Sequence, residues 1–124
     1  MLKKSYTWFM LLSYLFLLNA AFPTTYYMKK DGSDENSGTS WNDAFLTITK
    51  ALDEVTSGDA VWVAEGTYQE GDTLDVDEGV SLYGGFAGNE TDLSQRDIGN
   101  HKTIIDGEKF AGTLIIVVCW MDYV

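Results

Sequence analysis

Apolar residues recur at a helical period between residues 40 and 58. Spacings of three and four positions place side chains on one face of an α-helix. The pattern therefore predicts one amphipathic helix of about four turns. Ser40 is its predicted N-cap, and Gly58 is the glycine that should end it. The predicted apolar stripe consists of Ala44, Phe45, Ile48, Ala51, Leu52 and Val55.

Short β-type segments surround this helix. Each segment is favoured as a strand by one of three features. These are aromatic and β-branched residues, alternation of apolar and polar residues, and a continuous apolar run. Residues 65–68 are predicted to turn away from the strand that precedes them, and 31–40 to form a loop. The predicted strands cover residues 24–30, 60–64, 73–76, 80–83, 103–105 and 114–118.

Matching strands begin at Val61, Val80 and Thr103, so they lie 19 and 23 residues apart. A period of about 20–25 residues with glycine corners is typical of a solenoid. The leucine ladder and asparagine corner of leucine-rich repeats are missing, which favours a β-helix. The fold class predicted is all-β: the start of a right-handed parallel β-helix with one N-terminal amphipathic α-helix that covers its open end. The predicted structural glycines are Gly58, Gly66, Gly84 and Gly85.

The first 21 residues have the layout of an export signal. Lys3 and Lys4 precede an apolar run over 8–18, and Ala20 and Ala21 offer a cleavage site. The run is shorter than the ~20 residues that a membrane span needs. We therefore expect a secreted or cell-surface protein, at a bacterial outer membrane or outside the cell, with no transmembrane span after cleavage. An uncleaved N-terminal anchor is the alternative.

The charge of the chain limits its expected binding partners, and its cysteine content limits its disulfides. The net charge is −11. Removal of Lys3 and Lys4 takes away two positive charges and makes it −13. Such a chain repels a phosphate backbone, so nucleic acid is not expected as a partner. Cys119 is the only cysteine, which excludes an internal disulfide.

Two ordered blocks of sequence carry a resemblance to a known family. The first runs from Gly38 to Phe45 and continues through residues 57–68; the second is 79–91 with 95–97. Together they resemble the start of bacterial right-handed parallel β-helix surface proteins. These are pectate-lyase-like in fold and similar to polymorphic outer-membrane proteins. The resemblance covers about residues 26–107.

The resemblance implies a module of a longer cell-surface protein. Residues 22–59 would form the N-terminal strand, loop and capping helix, and 60–124 the first coils of a truncated β-helix. A tail that pairs with another chain is the alternative to truncation. The implied function is a non-catalytic structural or binding module for adhesion or glycan contact. The alternative is the N-terminal fragment of a secreted polysaccharide lyase or glycosidase whose active coils are missing.

Two sets of residues are candidates for binding. Trp62, Tyr68 and Tyr83 could stack on the sugar rings of a polysaccharide or cell-surface glycan, although aromatic residues in solenoids more often fill corners. No cofactor is expected apart from calcium. Its candidate ligands are Asp31, Asp34 and Glu35 in one acidic loop, and the alternative is a solvated turn.

No catalytic site is predicted, and the residues favour a non-enzyme. Two of Asp75, Asp77 and Glu78 could be paired carboxylates of a glycosidase, but acids beside a glycine turn are ordinary surface residues. His101 has no nucleophile motif beside it. Arg96 is interpreted as half of a structural ion pair. Asn89 begins an Asn-Glu-Thr glycosylation pattern that is common by chance.

Overall fold

The computed structural model describes residues 22–71 and 74–106, and the backbone of two further short strands. The predicted export signal at 1–21 and Cys119 lie outside the described residues. Over residues 22–71 and 74–106 the chain forms two short 3-10 helices, Trp41–Asp43 and Leu93–Gln95, and one α-helix, α1 (Ile48–Glu54). The strands are β1 (Thr25–Met28), β2 (Ala60–Ala64), β3 (Gly66–Gln69), β4 (Ser81–Phe86), β5 (Thr103–Asp106), β6 (Ile115–Val117) and β7 (Met121–Asp122).

The strands form two sheets. One sheet has the order β1-β2-β4-β7 and the other β3-β5-β6. The pairs β1–β2, β2–β4 and β3–β5 are parallel and in register, apart from one shift between Trp62 and Ala64 in the β2–β4 pair. β7 and β6 add antiparallel strands at the ends. Each passage of the chain therefore adds one parallel strand beside its predecessor. The chain is built mostly from strands with little helix, and this arrangement is consistent with a β-helix-like fold.

The single four-turn helix predicted for residues 40–58 is wrong. Ser40 does cap a helix, because its side chain accepts a hydrogen bond from the Asp43 N–H, but that 3-10 helix ends after three residues. Phe45 then lies in extended backbone as an isolated β-bridge partner of Met28. Its hydrogen bonds with β1 interrupt the helix, and α1 starts again with Thr47 as N-cap.

The apolar stripe that predicted the helix does face the core. Phe45, Ile48, Ala51 and Val55 are buried in one cluster, and Leu52 packs against its edge. The periodicity was correct because it reports which side chains are buried, whereas it does not report whether the backbone between them remains helical.

Gly58 does not end the helix as predicted. The helix ends at Glu54, with Val55 as its C-cap. Gly58 lies three residues further on, in a turn where its φ is +96°. There its N–H donates to the carbonyl of Gly79, which ties two successive turns together. The turn needs the glycine, because side-chain-bearing residues rarely adopt such a φ.

The strand predicted at 80–83, before the structural glycines Gly84 and Gly85, is longer than expected. β4 continues through both glycines to Phe86. Trp62 pairs with Tyr83, but Ala64 pairs with Phe86, so β4 contains one extra residue there. The left-handed φ of +92° at Gly85 is typical of a glycine in a β-bulge.

Three further strand predictions need correction or limits. Residues 65–68 do not only turn away, because a bend at Glu65 leads directly into β3. Residues 74–76 are not a strand, although Leu74 and Val76 pack on the core, because alternating burial does not require a partner strand. The segment at 114–118 is a strand over Ile115–Val117, and Thr73 lies outside the described residues.

The outer edge of β1 is hydrogen-bonded by the segment 38–45. Tyr27 donates its N–H to the Gly38 carbonyl and accepts a hydrogen bond from the Phe45 N–H. Lys29 donates its N–H to the Phe45 carbonyl. An edge strand with free N–H and C=O groups invites pairing with another chain. Here the groups of β1 at these positions are already paired by the chain itself.

Candidate functional site

An aromatic ladder lies across the outer face of the first sheet. Tyr27, Trp62 and Tyr83 occupy the same register position in β1, β2 and β4. Val61 and Val63 flank Trp62 along β2 and belong to the core, so the ladder is on the opposite face of the sheet. Neighbouring parallel strands are about 4.8 Å apart, which brings the three rings into a row.

Two more rings complete what we term the aromatic cluster: Tyr27, Trp41, Trp62, Tyr83 and Phe86. The rings of Trp62 and Phe86 are stacked, with centroids 4.7 Å apart and an angle of 10° between their planes. Tyr27 meets the ring of Trp62 edge-on at 5.5 Å and that of Trp41 at 4.9 Å. Such offset and edge-on contacts are the favoured geometries of aromatic pairs.

Two loops hold the rim of the aromatic cluster. The loop between β1 and α1 supplies Trp41, whose Nε1–H donates to the Glu90 carbonyl at 2.8 Å. The loop between β4 and β5, residues 87–102, supplies that carbonyl and also Arg96, whose guanidinium lies 5.2 Å from the centre of the Tyr83 ring. The cluster therefore connects two segments that are almost 50 positions apart in sequence.

The three predicted carbohydrate contacts do not form one surface. Tyr68 is only 1 % exposed, and its hydroxyl donates to the Ala64 carbonyl at 2.9 Å. That prediction is wrong, because a ring buried in the core has no face for a sugar. Trp62 is 8 % exposed under the other rings and fills the aromatic cluster instead of facing outward. Tyr83 is half-buried, and it is the one of the three that is not buried.

The predicted calcium residues are not brought together. Asp34 accepts hydrogen bonds from the N–H groups of Leu46 and Thr47 and from the Thr47 hydroxyl. Asp31 is paired with Lys29 at 3.7 Å, and Glu35 is exposed. Within residues 22–71 and 74–106, no group of three His, Cys, Asp or Glu side chains is arranged to hold a metal ion.

Asp34 has a structural use that does not need a metal. We expect Asp34→Asn to lower the free energy of unfolding by about 1 kcal/mol, as the loss of a helix cap does. The same loss should be measured by urea denaturation in calcium and in chelator. A loss found only in calcium would instead support the calcium site. Glu35→Gln is the matched control, because its carboxylate is exposed in the same loop.

Three buried carboxylates were not predicted from the sequence. Asp59, Glu70 and Glu90 are each 7–8 % exposed. Asp59 accepts from the N–H of Thr24 and from the N–H and hydroxyl of Thr56. Glu70 accepts from the first N–H groups of α1, and Glu90 from three consecutive N–H groups beginning at residue 87. The bonds from Thr24 to Asp59 and from α1 to Glu70 join residues that are 21 to 35 positions apart, so local sequence gives no signal for them.

Burial alone would raise the pKa of Asp59, but the hydrogen bonds from Thr24 and Thr56 outweigh it and hold the pKa below the ordinary 3.8. The pKa of Glu90 is lowered below 4.5 in the same way, by backbone N–H groups acting against burial. A carboxyl with a lowered pKa stabilises the fold above its ordinary pKa, and the stability is lost as the pH falls through the folded value.

We therefore expect the free energy of unfolding to decrease as the pH falls below about 4.5. Asp59→Asn should cost about 1–3 kcal/mol at pH 7, because it removes a charged acceptor, and should flatten the acid limb. Urea denaturation between pH 7 and pH 3 measures both. Equal acid sensitivity in the wild type and in Asp59→Asn would contradict a role for this carboxyl in the acid response.

An open surface cavity of about 240 Å³ lies beside α1. Thr49 and Leu52 form one wall, and Leu74, Asp75 and Asp77 form another. Asp75 and Asp77 are exposed, and no group of three His, Cys, Asp or Glu side chains in the described part of the chain is arranged around them to hold a metal ion.

The comparisons with known proteins give a family. The family model described as "Protein of unknown function (DUF1565)" matches residues 30–111, which is 82 of 124 residues. The chain belongs to this family, which is associated with β-helix proteins. A search of curated proteins gives no match to the chain. In the part of the chain that the structure describes, no helix is long and apolar enough to cross a membrane.

One solved structure is similar to part of the chain. Its title is "The complex structure of XylC with xylose", and it is 33 % identical with a TM-score of 0.40. The likeness covers 54 % of this chain and 11 % of that one, so the chain spans about a tenth of that protein's length. The xylose belongs to that protein, and a TM-score this low defines no shared fold.

Proposed function

We propose that this chain is the N-terminal cap and first coils of an exported, right-handed parallel β-helix protein at the cell surface. It acts as a structural and binding module and carries no reaction of its own. The observation that carries the proposal is the parallel, in-register addition of β2 and β4 to β1, together with the hydrogen-bonded outer edge of β1.

The cap function follows from the two ends of the parallel stack. On the β1 side, Gly38 and Phe45 hydrogen-bond to backbone N–H and C=O groups that would otherwise pair with another strand. On the other side, β4 and β5 accept further strands, here β7 and β6. The backbone groups on the outer edge of the first strand are already hydrogen-bonded, whereas the last strands can pair with further strands. Such a stack can begin a solenoid, and its first strand does not pair with a second molecule.

A binding role would use the half-buried rim of the aromatic cluster. Tyr27, Trp41 and Tyr83 each keep part of their surface accessible on the outer face of the sheet. Aromatic rings with partly accessible faces can pack against the C–H faces of neutral sugars by dispersion. The acidic surface of the chain disfavours polyanionic glycans, so neutral polysaccharide or cell-surface glycan is the proposed contact.

Two measurements test this function. Fractionation of cells that express the full chain should place it outside the cytoplasm, whereas replacing Lys3 and Lys4 with Glu should retain it inside. A glycan array with the purified chain should give binding to neutral glycans that Tyr83→Ala weakens and Leu46→Ala, at an exposed position elsewhere, does not. Cytoplasmic retention of the unaltered chain would contradict export, and binding unaffected by Tyr83→Ala would contradict this contact surface.

A further inference from the structure

The loop between β4 and β5 is joined to the corner between β2 and β3 by one pair of side chains. Nδ1 of His101 lies 2.9 Å from Oε2 of Glu65. Glu65 is the bend between β2 and β3, and His101 stands two residues before β5. The two residues are 36 positions apart, so the pair connects successive passages of the chain.

Backbone hydrogen bonds surround this pair and depend on the same loop position. The Gly66 N–H donates to the Lys102 carbonyl at 2.9 Å, directly beside the pair. The His101 N–H donates to the Asp97 carbonyl, and the Asp97 N–H to the Gly85 carbonyl, each at 2.8 Å. The amides of Gly66, Asp97 and His101 therefore report whether the loop is held in place.

Negative groups surround His101 on both sides of the contact. Glu65 comes from the β2–β3 corner, and Glu90 and Asp97 come from the loop itself. The hydrogen bond to Glu65, followed by the charges of all three, raises the pKa of His101 above its ordinary 6.5. Lys102 is the positive neighbour in the chain and is exposed. His101 is also the chain's only histidine.

We propose that His101 and Glu65 form a pH-sensitive latch, which holds the β4–β5 loop to the β2–β3 corner more tightly when the imidazole is protonated and less tightly when the imidazole is neutral. The latch goes beyond the proposed function, since it requires no glycan and no further coil. Because the same loop supplies Glu90 and Arg96 to the rim of the aromatic cluster, holding it less tightly loosens that rim.

The sign of the effect follows from the raised pKa. The contribution of the latch is complete below the ordinary pKa of 6.5 and is lost as the pH rises through the higher folded value. The pair is exposed, so its effect on opening is small, about two- to fivefold. The Nδ1–H of a neutral imidazole can still donate to Glu65, but without the positive charge this bond is weaker.

Proton NMR of the full chain tests the latch, because a single histidine gives one assignable Hε1 resonance. We expect that resonance to titrate above pH 6.5 and Glu65→Gln to lower its pKa. Hydrogen-exchange protection of the Gly66, Asp97 and His101 amides should fall about two- to fivefold between pH 5.5 and pH 8.5. Glu65→Gln should have the lower protection at both pH values.

Glu78→Gln is the control, because it removes an exposed carboxylate away from the pair. It should leave the titration and the pH-dependence of exchange unchanged. A His101 titration at or below pH 6.5 in the wild type would overturn the proposal. The same change of protection with pH in the wild type and in Glu65→Gln would also overturn it, whether or not glycans bind.

Discussion

Trp62→Ala is expected to lower the free energy of unfolding by about 3–5 kcal/mol, the range measured for removing a large buried aromatic side chain. Trp62 is 8 % exposed, stacks on Phe86 at 4.7 Å and contacts the edge of Tyr27 at 5.5 Å. Its removal leaves a void beside the rings of Tyr27 and Phe86 on the outer face of the sheet. Urea denaturation followed by circular dichroism gives the value.

Two comparison variants make this result interpretable. Trp62→Phe keeps a ring against Phe86 and should cost less than Trp62→Ala. Leu46→Ala removes an apolar side chain that is 38 % exposed and should stay within about 0.5 kcal/mol of the wild type. If Trp62→Ala also stayed within about 0.5 kcal/mol, Trp62 would be a solvent-facing ring, as a binding platform requires, and not the centre of a packed cluster.

Gly38→Ala is the second change with a large expected effect. Gly38 has a φ of +73°, and a Cβ built there would lie 2.2 Å from Cε2 of Phe45. The Phe45 ring is 2 % exposed and stacks on Tyr26, so the ring and its neighbours must shift to accept the Cβ. We expect a loss of about 2–4 kcal/mol, which combines a disfavoured backbone conformation with overpacking.

Gly58→Ala is the matched control for this variant. Gly58 also has a positive φ, at +96°, but a Cβ there would meet nothing within 4 Å. Its cost should therefore be about 1–2 kcal/mol, from the backbone conformation alone. The Gly38 carbonyl accepts a hydrogen bond from the edge of β1, and a displaced carbonyl would leave that edge open to another chain. Gly38→Ala should therefore also increase self-association in size-exclusion chromatography. Equal losses for the two variants would mean that residues 38–45 do not close tightly on β1.

The strands that could be predicted are those whose residue types alone indicate buried side chains. The continuous apolar run at 60–64 became the central strand β2, and aromatic and β-branched residues marked β1 and β5 correctly. β3 was missed because its four residues include a glycine and only one buried side chain, Tyr68. A strand this short shows its identity mainly through its in-register pairing with β5.

The remaining errors come from hydrogen bonds between distant residues. Phe45 fits the helical period, yet its backbone pairs with Tyr27, which no local pattern indicates. Glu70 contacts the start of α1 from 22 positions away, so its role as a cap is invisible in the sequence around it. The sequence did not distinguish aromatic side chains that pack against one another from an open binding surface, because that distinction needs the register of β1, β2 and β4.

Disulfide cross-linking between β3 and β5 tests the register of the parallel strands most directly. Thr67 and Ile104 are partners in β3 and β5, on the face opposite Tyr68. In a Cys119→Ser background, Thr67→Cys with Ile104→Cys places two thiols on strands about 4.8 Å apart, within disulfide reach. Thr67→Cys with Asp106→Cys shifts the pair by two residues, to a separation of about 8 Å, which exceeds that reach. The account predicts that mild oxidation cross-links the first pair and not the second in the folded chain. Equal cross-linking of both pairs, or of neither in a chain that circular dichroism shows to be folded, would contradict it.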